Sequence, residues 1–157
     1  MSTVLRYLEF LSLGTWVGGI IFLSFVVAPG AFAMLGSRDQ AGALVGMSLG
    51  RLHWLGVIAG VIYLIARVAE GKSLSALIRP AAGLVILMIA LTLVSQLGVS
   101  AKMLDLRTQM GSVERTPATS PLRVEFDRLH QWSVRIESTV LLCGLAAMFL
   151  TVRNRAL

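Results

Sequence analysis

Apolar residues fill four long blocks of this chain, and the charged residues gather in the short stretches between them. None of the blocks alternates with the period of two that a barrel strand needs. Each is long enough, at about 20 residues, to carry a helix across ~30 Å of hydrocarbon. The first block runs from about Phe10 to Leu35 without a charge. The second, about Ala41 to Ala66, contains Arg51 and His53. The third, about Pro80 to Ala101, is uncharged and continues as a helix through Lys102 to Gln109. The fourth, about Val124 to Val152, is charged in its first half and uncharged from Ser138 onward. Backbone polar groups cannot go unpaired in lipid, so these blocks predict helices. The fold class is all-α: one domain, residues 1–157, forming an integral membrane four-helix bundle with helices near 10–35, 41–66, 80–109 and 124–152. The stretch 110–122, rich in Thr, Ser and Pro, reads as an external loop.

Composition agrees, with 56% hydrophobic and only 14% charged residues. The net charge of +6 does not point to nucleic acid, because the basic residues flank apolar segments and form no basic arm. The single Cys143 has no partner in the chain for a disulfide or a Cys-based zinc site. The "AFA" at Ala31–Ala33 imitates a signal-peptidase site, but the apolar run before it exceeds the roughly 7–15 residues of a secretory core, and Arg6 and Glu9 precede it. The first helix is therefore expected to stay uncleaved, with Pro29 kinking or ending it near one interface.

Four spans place both termini on one side together with Arg67, Lys72 and Arg79. The Lys/Arg tally of the two sides is level, and the longer, acid-diluted connection of 110–122 tilts the assignment towards cytoplasmic termini.

The chain's two histidines arrive in nearly the same words, "RLHW" at 51–54 and "RLHQW" at 128–132. This opens the possibility of a duplicated two-helix hairpin. At 3.6 residues per turn, Gly42, Gly46, Gly50, His53, Gly56 and Gly60 share one stripe while Arg51 points elsewhere. Such a stripe allows close helix packing, or a planar ligand beside His53. On the fourth helix His130 shares a face with Phe126, Ser133 and Glu137. A carboxylate inside the membrane is costly unless paired or protonated, which singles out Glu137, and the depth count sets it level with Arg51 and His53. Thr92, Gln96 and Ser100, with Ser95 beside them, form a polar stripe on the third helix. His53, His130, Glu137, Ser133, Gln96 and Arg51 thus make up the candidate polar site, in the half of the bundle away from the termini.

Three classes of function fit these residues. An accessory or structural membrane subunit, in a homo-oligomer or larger complex, uses the polar groups for packing. A metal-ion or small-solute handling protein uses His53, His130 and Glu137 as ligands, since two imidazoles and a carboxylate suit a divalent transition metal. A haem-binding or quinone-linked electron carrier uses the two histidines as axial ligands. No metalloprotease helix, nucleophile elbow or phosphate loop is present in the sequence, so an enzyme is the less expected outcome.

The stretch "TWVGGIIFLSFVVAPGAFAML", with Trp16, Gly18, Phe22, Pro29 and Phe32, followed by "AGALVG", resembles the opening of the transmembrane-protein-205-like membrane proteins. "FDRLHQWS" is similar to that family's Phe-x-x-x-His-x-x-Ser element, carried here by Phe126, His130 and Ser133. The resemblance implies a small four-helix membrane protein and supplies no established reaction. A weaker likeness is to the copper-resistance membrane family, which pairs a Trp-x-Gly helix with intramembrane histidines.

Overall fold

The computed structural model describes residues 3–156, with side chains through Arg153. Among these residues there are no strands, and four helices are long and apolar enough to cross a membrane. We label the spans α1 (Thr3–Met34), α2 (Arg38–Gly71), α3 (Pro80–Met110) and α4 (Pro121–Ala156). Each extends beyond its apolar block, because the helix continues into the charged flanks where water satisfies the outer side chains. Neighbouring spans pack in chain order, α1 on α2, α2 on α3, α3 on α4 and α4 back on α1. Consequently α2 and α4 face each other only across the diagonal of the bundle.

Two of the spans are interrupted by π-helical turns, at Leu23–Val27 in α1 and Ser95–Ser100 in α3. The first precedes Pro29, whose ring would meet the carbonyl four residues back and which has no N–H to donate. A wider turn lets the helix pass this residue, so α1 does not end at Pro29 and continues to Met34.

The core is apolar at mid-depth, where Leu13, Trp16 and Ile20 of α1 meet Tyr63, Val85, Met88, Val140 and Ala147 from the other three spans. Trp16 lies against the backbone of α2: a methyl group at Gly56 would come within 2.1 Å of its indole nitrogen, and one at Gly60 within 2.7 Å of its ring. Gly144 on α4 is equally tight, with Val17 at 2.6 Å and Met88 at 3.1 Å from the same imaginary methyl. These glycines let bulky apolar groups approach neighbouring helix axes, as small residues do in membrane bundles.

At the end away from the termini, the connection 111–120 is held to the start of α2 by one carboxylate. Asp39 accepts from Ser112 Oγ at 2.5 Å, Val113 N–H at 2.9 Å and Glu114 N–H at 3.3 Å. Glu114 in return accepts from Arg38 N–H at 3.2 Å, and Ser37 caps α2 by accepting from Asp39 N–H. Arg123 adds a hydrogen bond to the Val113 carbonyl and an ion pair with Asp127 at 3.0 Å. The segment that reads in sequence as a polar loop is thus a folded cap on the bundle.

Candidate functional site

His53 projects from α2 into the loop-end half of the bundle and is only 2% exposed. Both of its ring nitrogens are engaged. Nδ1 lies 2.8 Å from Gln96 Oε1 on α3, and Nε2 lies 3.1 Å from Glu137 Oε2 on α4. With Nδ1–H donating to the Gln96 carbonyl, the Nε2 contact has two forms. Either an imidazolium donates to a carboxylate, or a neutral imidazole accepts from a protonated Glu137. The two forms carry the same number of protons, so a proton can pass along this bond without changing the net charge of the pair. The contact with Glu137 crosses the bundle diagonal and joins spans whose backbones do not touch. Glu137 keeps 14% of its side chain accessible.

Gln96 reaches His53 from the π turn of α3. A π turn inserts an extra residue and rotates the remainder of the helix about its axis. Beside Gln96, Ser95 is buried (0% exposed). Thr92, one turn nearer the termini, is also buried. Neither the Thr92 nor the Ser95 hydroxyl has a hydrogen-bond partner among the described residues. The polar stripe read from the sequence therefore holds one group bound to His53 and two buried hydroxyls still free to bond.

The other candidate residues lie elsewhere. Ser133 is buried on α4, but His130 is exposed. It lies seven residues before Glu137, roughly 10 Å farther along the axis at ~1.5 Å per residue. Of the residues read from sequence as a possible ligand set, the fold joins His53 to Glu137, while His130 lies two turns farther along α4. Among the described residues no three His, Cys, Asp or Glu side chains gather closely enough to hold a metal ion. The inner part of the glycine stripe, the surface considered for a planar ligand, is covered by the Trp16 indole at Gly56 and Gly60. Farther out, Gly50 adjoins the Gln96 amide and Gly42 the Arg107 guanidinium, while a methyl at Gly46 would meet nothing within 4 Å. Arg51 is exposed and faces away from His53.

Sequence reasoning missed a second buried ionic group, at the terminal end. Glu9 (0% exposed) of α1 accepts from Arg67 Nη1 (Arg67, 4% exposed) of α2 at 3.2 Å. Arg67 also lies 3.8 Å from Glu70, which pairs with Arg6 at 3.6 Å. The signal was present in the helical spacing. Glu9 shares a face with Leu13, Trp16 and Ile20, and Arg67 shares one with Gly60 and Tyr63. Between the two ionic layers, Tyr63 Oη–H donates to Thr151 Oγ1 at 2.8 Å, a second tie across the α2–α4 diagonal.

Four apolar spans closed around buried polar ties define the class, a multi-pass α-helical membrane protein. Residues 11–112 match the family model described as a domain of unknown function, DUF4149, and the chain belongs to that family. The matched region contains His53, Gln96 and Trp16, and ends before Glu137 and the Phe126–His130–Ser133 element. No curated protein and no solved structure matches the chain.

Proposed function

We propose that this chain is an accessory membrane protein, a compact helical unit that assembles with a membrane partner or with further copies of itself. The observation that carries this reading is the closure of the His53 site. Both imidazole nitrogens are spent on other spans, so a buried polar group in the loop-end half ties helices together. Interhelical hydrogen bonds of this kind contribute about 1 kcal/mol each in membranes and select one packing arrangement. The resemblance to transmembrane-protein-205-like proteins supports the same small four-helix scaffold, and cytoplasmic termini complete the proposal. The test is the size and composition of the particle extracted from its native membrane in a mild detergent. A defined oligomer or a stoichiometric partner is expected, and a partner-free monomer overturns the proposal.

A second reading, handling of protons or of a small polar solute, is favoured by the free hydroxyls of Thr92 and Ser95. They lie within about a turn of Gln96 on a span that also contacts the His53–Glu137 pair. It predicts that reconstituted protein changes the pH inside dye-loaded vesicles and that Glu137→Gln abolishes the change. Vesicles indistinguishable from protein-free controls would remove this reading and leave the first intact.

A further inference from the structure

The face of α2 opposite His53 carries a feature that neither the packing nor the buried polar group uses. A groove of about 310 Å³ runs between α1 and α2 on the outside of the bundle. Its walls are apolar, with Leu23 and Val27 from α1 and Leu52 and Leu55 from α2. Its two polar lining residues are Ser48 and Arg51. The two spans approach each other closely at one side of the groove. At Gly19 they are so close that a methyl would fall 2.6 Å from Leu52, and the π turn at Leu23–Val27 begins four residues later.

The polarity of the groove has a direction. Because α2 runs from the loop end to the terminal end, Ser48 and Arg51 lie at the mouth and Leu55 lies deeper. From the buried Glu9–Arg67 pair, a count of 16 residues at ~1.5 Å each brings Arg51 about 24 Å across a hydrocarbon layer of ~30 Å. It thus lies within reach of the far surface for an extended arginine. Exposed Trp54 and Trp132, the latter with Arg135 stacked at 5.4 Å from its ring, occupy neighbouring depths, as aromatic residues do near a membrane surface. Arg135 therefore has an aromatic partner, whereas Arg51 forms no ion pair with any described residue. A guanidinium held over an apolar slot below the headgroup layer calls for an anion that carries its own hydrocarbon.

We infer that the α1–α2 groove is a binding site for an anionic phospholipid of the leaflet at the loop end. Its phosphodiester pairs with Arg51, Ser48 donates a further hydrogen bond, and one acyl chain lies along Leu23, Val27, Leu52 and Leu55. The guanidinium fork suits two phosphate oxygens at once. A free phosphate would leave the apolar walls bare, and a neutral lipid would leave the arginine without its counter-charge.

The test uses the full chain, delipidated in detergent, with thermal unfolding followed on adding phosphatidylglycerol, phosphatidylcholine or inorganic phosphate, and bound lipid counted by native mass spectrometry. Phosphatidylglycerol is expected to raise the midpoint by several degrees and to bind near one molecule per chain, at least fivefold more tightly than phosphatidylcholine. Arg51→Gln abolishes that preference, Arg51→Lys retains part of it, and Val27→Trp, which fills the slot, lowers the binding of both lipids. Equal effects of the two lipids on the unaltered chain overturn the inference, as does an equal effect of phosphate alone. A dimer cross-linked through cysteines placed at positions 27 and 55, formed in bilayers rich in phosphatidylglycerol, would give the groove to a second copy instead. The lipid measurement on the unaltered chain decides even if a variant does not fold.

Discussion

A single imidazole distinguishes two nearly identical sequence words. His53 and His130 both follow Arg-Leu on an apolar helix, yet one is enclosed by three spans and the other is exposed. The cause is what stands opposite. At the depth of His53, α3 and α4 offer Gln96 and Glu137. Around His130, α4 lacks a second neighbour, because residues 23–34 of α1 lean on α2 alone. Replacing the two histidines by alanine should therefore have unequal effects. His53→Ala removes two hydrogen bonds and leaves a void, a loss of about 2–4 kcal/mol, whereas His130→Ala should change stability by less than ~0.5 kcal/mol. Unfolding midpoints in mixed micelles read both. Equal losses would mean that His130 carries a structural tie in the membrane.

At the scale of the helix, the small residues of α2 have separate tasks although they form one stripe. Gly56 and Gly60 are the seat of Trp16, while Gly46 has open space around it. Gly56→Ala should destabilise by about 1–3 kcal/mol through overpacking. Gly46→Ala should be neutral or stabilise by up to ~1 kcal/mol through helix propensity. Trp16→Leu in the Gly56→Ala background should recover part of the loss, since it withdraws the ring that the new methyl meets. Unfolding midpoints of the three variants form the check, and a Gly46→Ala as damaging as Gly56→Ala would contradict the packing described. The stripe itself is legible from the 3.6-residue period. Which of its glycines carries a ring is not, because that depends on the rotation of α1 about its own axis.

Across the whole molecule, polar ties recur in layers along an apolar bundle. The Asp39 cap closes the loop end, the His53 group comes next, and Tyr63–Thr151 and Glu9–Arg67 lie towards the termini. The last pair is buried, so removing Glu9 leaves the Arg67 charge to the longer, 3.8 Å contact with Glu70. Glu9→Leu should cost about 3–5 kcal/mol, and adding Arg67→Met should restore much of it, since a paired removal leaves no uncompensated ion. A double variant no more stable than the single one would show that the pair is needed in its own right. At the opposite end, Asp39→Ala should release the 111–120 connection and speed its cleavage by an added protease, with the four spans left intact. Unchanged cleavage would mean that Arg123 and Glu114 hold the cap without it.

The number of spans and their order come from the sequence alone, because a membrane of fixed thickness demands a fixed length of apolar helix. The same logic sets Glu137 level with His53 and turns Gln96 inward, since polar groups avoid lipid. Only the tertiary structure decided who meets whom. The depth count includes Arg51 as readily as His53, yet the fold sends Arg51 to an outer groove, and it leaves His130 uncovered. Two one-residue insertions, the π turns, reset the faces of α1 and α3 partway along, and no apolar period announces them. The diagonal bond from His53 to Glu137 exists because four helices close around one axis, a relation between spans that no single helix contains.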